Sequence, residues 1–337
     1  MSEVSDRRLF LSGRKVLGAA FGGVAMAAAA GATYQFLASW NSRRRYFPPG
    51  RLVDIGGHSV HVRDMGEGSP TVVLEAGLTS TSAVWGWVQP ALAATTRVVA
   101  YDRIGIGWSD ESEDPHDAVT VARHLGALLD RLGVDGPLVL VGHSMGGLFI
   151  RVFADLHRER VAGLVLVDPS HPDQLQHFPA EGVRLQRTFM GRLRVAPILA
   201  GFGVLRLTGG MRDGASGLPE ECRVDAEVFY SSLHHLRGVK AEILAWDEIA
   251  DQVRRTRPLG DLPLLVLSAS DPPAEIFPSF HLLHMDLARL SSRGEHRIVE
   301  RSEHRTILTD RANAEVTAAA IREIVETARS GDLRTSA

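Results

Sequence analysis

Apolar positions recur along this chain with two periods. From Ser59 to Asp64 and from Thr71 to Glu75, short runs rich in valine flank a Gly66-Glu67-Gly68 turn and predict two strands. Arg97 to Tyr101, Leu138 to Val141, Gly163 to Val167, Leu264 to Leu267 and Arg297 to Glu300 are further aliphatic runs bounded by turn residues. Such runs suit a parallel sheet covered on both faces. Between them the spacing lengthens to the helical period. Val119 to Leu132 places Val121, Leu125, Leu128, Leu129 and Leu132 on one face. Met145 to His157 carries Leu148, Ile150, Val152 and Phe153, and Ala312 to Ala328 carries Val316, Ala320, Ile321 and Ile324. Strands alternating with helices over this length predict an open α/β sheet.

One interval breaks the rhythm. Between Pro169 and Pro263 no strand pattern occurs, while helical pieces at Ala226 to Leu236 and Ala241 to Arg255 are mixed with Gly-rich turns. An insertion of this size between sheet strands is usually functional. It predicts a helical cap over residues 169–260, inserted between strands 6 and 7 above the sheet's C-terminal edge. The expected organisation is an N-terminal segment at 1–45, a core at 46–168 and 261–328 split by the cap, and a disordered tail at 329–337.

The N-terminal segment changes this picture. Val16 to Trp40 holds no charged residue, and it lies between Arg7, Arg8, Arg14 and Lys15 on one side and Arg43, Arg44 and Arg45 on the other. Two readings stand. A helix of this length can anchor the chain in a bilayer, with arginines at the two interfaces. Alternatively, Arg7-Arg8-Leu9-Phe10-Leu11 resembles a twin-arginine export signal, with Ala30-Gly31-Ala32 as a small-residue cleavage site. Either reading makes the protein membrane-anchored or exported. Charge adds an exclusion: 37 Lys and Arg against 40 Asp and Glu give a net charge of -3, which offers nothing to a nucleic acid. Cys222 is the single cysteine, so neither an intramolecular disulfide nor a Cys-based metal site can form.

The candidate chemistry sits at one turn. Gly142-His143-Ser144-Met145-Gly146 follows the run Leu138 to Val141 and precedes a helical pattern. Strand, sharp turn and helix are the context that G-x-S-x-G requires to project a nucleophilic serine above a sheet. Small neighbours two residues either side relieve the clashes of that turn. Backbone N–H groups at the helix start can receive a developing oxyanion.

With the elbow at 142–147 and the segment Tyr101-Asp102-Arg103-Ile104-Gly105-Ile106-Gly107-Trp108-Ser109, the chain resembles the α/β-hydrolase superfamily from about Arg51 to Ile324. It is most similar to the esterase-like group that includes the pimeloyl-carrier-protein methyl ester carboxylesterases. The resemblance implies a mostly parallel α/β-hydrolase sheet with helices on both faces. It implies oxyanion donors at the Leu78 and Met145 amides, although the loop Glu75-Ala76-Gly77-Leu78 keeps the family's glycine and lacks its histidine. Glu75 is read either as ordering that loop or as a loop-facing carboxylate. Arg103 is read as pairing locally. Among 14 histidines, His304 holds the position of the base, after the run Arg297 to Glu300 and before the final helix, whereas His296 falls at the wrong end of its strand.

The acid has two candidates. Asp271 closes Leu264 to Ser270, at the family's commonest acid position. Asp168 ends Val161 to Val167, which resembles the strand bearing the acid in some haloalkane dehalogenases. The implied reaction is hydrolysis of a small apolar ester or amide through an acyl-enzyme on Ser144, without metal or organic cofactor. An aminopeptidase, a carbon-carbon bond hydrolase and a non-catalytic ligand-binding protein are the competing readings.

Overall fold

A computed structural model describes residues 22–42, 46–210 and 212–335. Eight strands form one sheet: β1 (Arg51–Asp54), β2 (Ser59–Met65), β3 (Thr71–Glu75), β4 (Val98–Tyr101), β5 (Leu138–His143), β6 (Val161–Val167), β7 (Leu264–Ala269) and β8 (Gly294–Val299). Their order is β1-β2-β4-β3-β5-β6-β7-β8. The first two pair antiparallel, and β2 runs antiparallel to β4. From β4 to β8 every pairing is parallel. The sheet is thus the mostly parallel one that the aliphatic runs predict. β1 escapes the pattern because it is a largely exposed edge strand, which needs no apolar run.

Helices cover both faces. They are α1 (22–42), α2 (Val88–Ala93), α3 (Ala118–Arg131), α4 (Gly146–Leu156), α5 (Gln174–His177), α6 (Ala180–Gly201), α7 (Val204–Thr208), α8 (Glu220–Phe229), α9 (Leu233–Leu244), α10 (Trp246–Arg254), α11 (Phe277–Ala288), α12 (Thr306–Thr309) and α13 (Arg311–Thr335). Alternate residues of one strand feed opposite cores. Val73 joins Leu125, Leu128, Phe149 and Phe153 of α3 and α4, while Val72 and Leu74 join Trp85, Leu92, Ile321 and Val325. This is period 2 in the strand meeting period 3.6 in the helix.

All described elements between β6 and β7 are helical. Their breaks differ from the expected ones. The predicted piece at 226–236 is two helices, because the chain turns after Phe229 and the extended Ser232 precedes α9. Serine favours such a flanking position over a helix interior. α6 spans 22 residues and was not anticipated: three glycines and Pro197 mask it, and it shows no clean apolar stripe. At the other end, α13 continues to Thr335, through most of the stretch expected to be disordered. Arg329 fastens it there by donating to the carbonyls of Ser69 (2.9 Å) and Thr95 (2.7 Å).

The twin-arginine motif, residues 16–21 and Arg43 to Arg45 lie outside the described residues. Among the described residues no helix is long and apolar enough to cross a membrane. α1 rests on the insertion at Gln35, whose side-chain amide donates to Ser231 O at 2.8 Å and whose oxygen accepts from Arg206 at 3.2 Å.

Candidate active site

The end of β5 folds back sharply. Ser144 has φ of 54°, a left-handed conformation that costs a non-glycine residue roughly 1–2 kcal/mol. Its amide donates to Val167 O at 3.0 Å, which locks the turn to the end of β6. Gly146 shows why the elbow needs a glycine. A Cβ there would stand 2.5 Å from Glu75 O and 2.8 Å from Ala76 O, both backbone atoms. Gly146→Ala is therefore expected to displace the 75–78 loop, lowering turnover more than tenfold and stability by about 1–3 kcal/mol. Steady-state kinetics beside a thermal melt would check this, and unchanged turnover would refute it.

The structure brings Ser144, His304 and Asp168 together. His304 Nε2 lies 3.0 Å from Ser144 Oγ, and its Nδ1 lies 2.6 Å from Asp168 Oδ2. An ionised carboxylate only accepts, so the proton sits on Nδ1 and the Nε2 lone pair faces the serine hydroxyl. Asp168 is fully buried and also left-handed, with φ of 44°. Its other oxygen accepts from the Ala269 amide at 2.7 Å. Burial alone would raise its pKa. The hydrogen bond and charge of His304, with help from His284 and the Ala269 amide, outweigh burial and hold the carboxyl below its ordinary value. The second acid candidate is not at His304: Asp271 is exposed and accepts from Ser270 Oγ at 3.0 Å. A strand end alone could not separate the two.

His143 was not singled out by sequence. It sits at the end of β5 and donates from Nε2 to the backbone carbonyl of His304 at 2.9 Å, with the two rings 4.8 Å apart. It therefore fixes the loop that carries the imidazole.

Among the described residues, the amides of Leu78 and Met145 donate to no protein acceptor. The loop bearing Leu78 is held from below by Arg103, whose reach is longer than the local pairing expected. Arg103 donates to Glu75 (2.6 Å) and to the carbonyls of Ala76 (2.7 Å) and Gly77 (3.2 Å). It also donates twice to Glu242 of α9, at 2.6 and 3.0 Å. Those bonds use all five guanidinium donors. Glu75 is buried, takes a further hydrogen bond from the Tyr101 hydroxyl, and orders the loop. Burial pushes its carboxyl up, against the pull of Arg103. α9 grips the same loop a second time, since His235 Nε2 donates to Thr79 O at 3.2 Å and its Nδ1 accepts from the Gly107 amide at 3.2 Å. Nothing in the sequence marks Glu242 or His235, because their partners lie more than 120 residues away.

Residues 70–213 match the alpha/beta hydrolase fold family. The chain has the α/β-hydrolase fold. An esterase of Thermogutta terrifontis has the same architecture, with a TM-score of 0.62 at 22% identity over 83% of this hydrolase-fold chain and 99% of its own. The 2-hydroxy-6-oxo-2,4-heptadienoate hydrolase of Pseudomonas putida is 36% identical over 122 residues, 35% of this chain and 44% of that protein. An uncharacterised Schizosaccharomyces pombe protein is 30% identical over 226 residues, 66% of this chain and 40% of its own. The hydrolase-fold chain thus spans less than half the length of these curated relatives.

Buried histidines set the acid response of this hydrolase fold. Burial pushes His143 down to about 3, and His235 and His284 down to about 4, from an ordinary 6.5. Each is neutral in the folded protein while the unfolded chain takes up a proton below about pH 6.5. Stability therefore falls with pH across that window, by up to about 1.4 kcal/mol per pH unit for each group. His61 acts oppositely. Burial would lower its pKa, but the charge and hydrogen bond of Asp102 raise it, so its contribution is complete at low pH and lost as pH rises. His171, which burial also pushes down, joins these three, and four groups against one give a Tm lower at pH 5 than at pH 7.5. A flat or rising Tm on acidification would overturn this account.

Proposed function

We propose that this protein is a serine hydrolase that cleaves small apolar carboxylic esters through an acyl-enzyme on Ser144. The observation that carries the reading is the continuous hydrogen-bond chain from Ser144 Oγ through His304 to the buried Asp168, beside two unengaged amides. In the first step Ser144 Oγ attacks the ester carbonyl and its proton passes to His304 Nε2. The Leu78 and Met145 N–H groups receive the oxyanion, a role worth about 2.7–4 kcal/mol per donor. The imidazolium, steadied by Asp168, returns the proton to the departing alcohol. Water then enters, His304 takes its proton, and the acyl group leaves as the acid. Within the superfamily, the 142–147 elbow and the 101–109 turn favour the esterase-like group.

Labelling with a fluorophosphonate probe tests the mechanism, followed by p-nitrophenyl esters of increasing chain length. The purified protein should give an adduct that Ser144→Ala abolishes. Absence of an adduct, or its persistence in the variant, would sink the proposal. The Pseudomonas putida relative supports a second reading, cleavage of a carbon-carbon bond on the same three residues. Faster turnover of 2-hydroxy-6-oxo-2,4-heptadienoate than of every ester would favour it.

A further inference from the structure

We infer that the outer face of α6, continued by α7 and α1, is a docking surface for an anionic phospholipid membrane. This goes beyond the hydrolase reading and does not depend on it. α6 buries Met190, Leu193, Ala196 and Ala200, and turns the opposite side to solvent. On that side Leu185, Phe189, Val195, Ile198 and Leu199 are 38–58% exposed. Interleaved with them are four exposed arginines, Arg184, Arg187, Arg192 and Arg194, against a single acid, Glu181. Exposed Phe202, Val204 and Leu207 prolong the apolar strip into α7.

A groove of about 460 Å³ opens between α6 and α9, with Ile198, Phe202, Leu233 and Leu244 as apolar lining and Arg237 and Lys240 as cations. Among the described residues none of these six cations has a carboxylate partner. Other exposed arginines of the described residues, such as Arg254 and Arg257, do take carboxylate partners. α1 meets the same strip. Gly31 lies against the Phe202 carbonyl so closely that a Cβ there would clash at 2.4 Å. Beyond this contact α1 has no charged residue and exposes Val24, Met26, Phe36 and Leu37.

Charge complementarity selects the occupant. Apolar side chains interleaved with arginines suit the headgroup boundary, where the stems lie in the acyl region and the guanidinium groups reach the phosphates. A second protein chain would leave the cations without counter-charges unless it brought carboxylates. The face lies along the membrane rather than across it, consistent with the absence of a spanning helix among the described residues.

The test uses the full chain carrying an environment-sensitive fluorophore at Ile198→Cys, at Met26→Cys or at Glu67→Cys, an exposed site at the opposite end of the strands. Native Cys222 is buried and 2% exposed. Vesicles of phosphatidylcholine with phosphatidylglycerol should shift the 198 label to the blue and bring it within reach of spin-labelled lipid. The 67 label should not respond. Changing the four α6 arginines to glutamine should reduce quenching at 198 at least about fivefold, while the label at 26 still enters lipid. Three results would overturn the inference. One is a 198 label that stays open to aqueous iodide while the 26 label is in lipid, making α1 a mere tether. Another is an equal response to pure phosphatidylcholine. The last is a shift that follows protein concentration without vesicles, which would mean a second copy covers the face.

Discussion

Asp168→Asn is expected to lower kcat about 10⁴-fold, whereas Asp271→Asn changes it less than tenfold. The first figure is the loss seen when the equivalent aspartate of a serine protease is changed to asparagine. Its cause applies to the geometry here. Asp168 accepts a hydrogen bond from His304 Nδ1–H at 2.6 Å and so leaves the Nε2 lone pair free for Ser144 at 3.0 Å. An asparagine can turn its NH₂ toward the ring, reversing the tautomer and presenting an N–H to the serine. The Ala269 amide, donating at 2.7 Å, would hold the carbonyl of asparagine in the other position and so favour that orientation. Asp271 has no contact with the imidazole, and its substitution tests only loop order. Burst kinetics with an activated ester measure the acylation step directly. Equal losses in the two variants would refute the assignment of the acid.

Arg103→Met is expected to cost about 3–5 kcal/mol of stability, because it leaves two buried carboxylates without a counter-charge. Side-chain exposures of 3% for Arg103, 0% for Glu75 and 1% for Glu242 leave no route for water to compensate. Equilibrium denaturation would show a lower midpoint with an unchanged slope. Activity should fall further than stability, since the same guanidinium holds the carbonyls of Ala76 and Gly77, next to the Leu78 amide. Glu242→Gln is the companion variant. It keeps an acceptor for Arg103 and should lose far less stability. Arg103→Met with wild-type stability would show that the cluster contributes nothing to the fold.

Much of this was legible in the sequence. The aliphatic runs of β3, β5, β6 and β7 are visible because those strands are buried on both faces and so cannot alternate. The elbow was legible because its steric demand at Gly142 and Gly146 leaves a fixed spacing. β1 was not, because an exposed edge pays no apolar signature. Nor was α6, whose outward side mixes arginines with leucine and phenylalanine. The choice of acid stayed open in the sequence for a different reason. Asp168 and Asp271 both follow parallel strands, β6 and β7, and which carboxylate meets His304 is decided by the backbone turn at Asp168. The loop contacts of Glu242 and His235 depend on where α9 crosses the sheet, which no local pattern encodes.

The grip of α9 on the 75–79 loop has a consequence for how this scaffold can diversify. Ser144 and Asp168 are joined through strand ends, for Ser144 N–H bonds to Val167 O and Ser170 N–H to Ser144 O. That half meets the insertion at its first residues, Ser170 among them, and at Asp213, whose carbonyl accepts from Arg305. The loop bearing the Leu78 amide is moored deeper in it, at Glu242 and His235 of α9. The insertion is therefore not a freely exchangeable module. A graft that brings a new substrate pocket must also return a carboxylate to Arg103 and a donor to Thr79. Otherwise, under the proposed mechanism, it gains a binding site over a serine whose oxyanion donors are left unsupported.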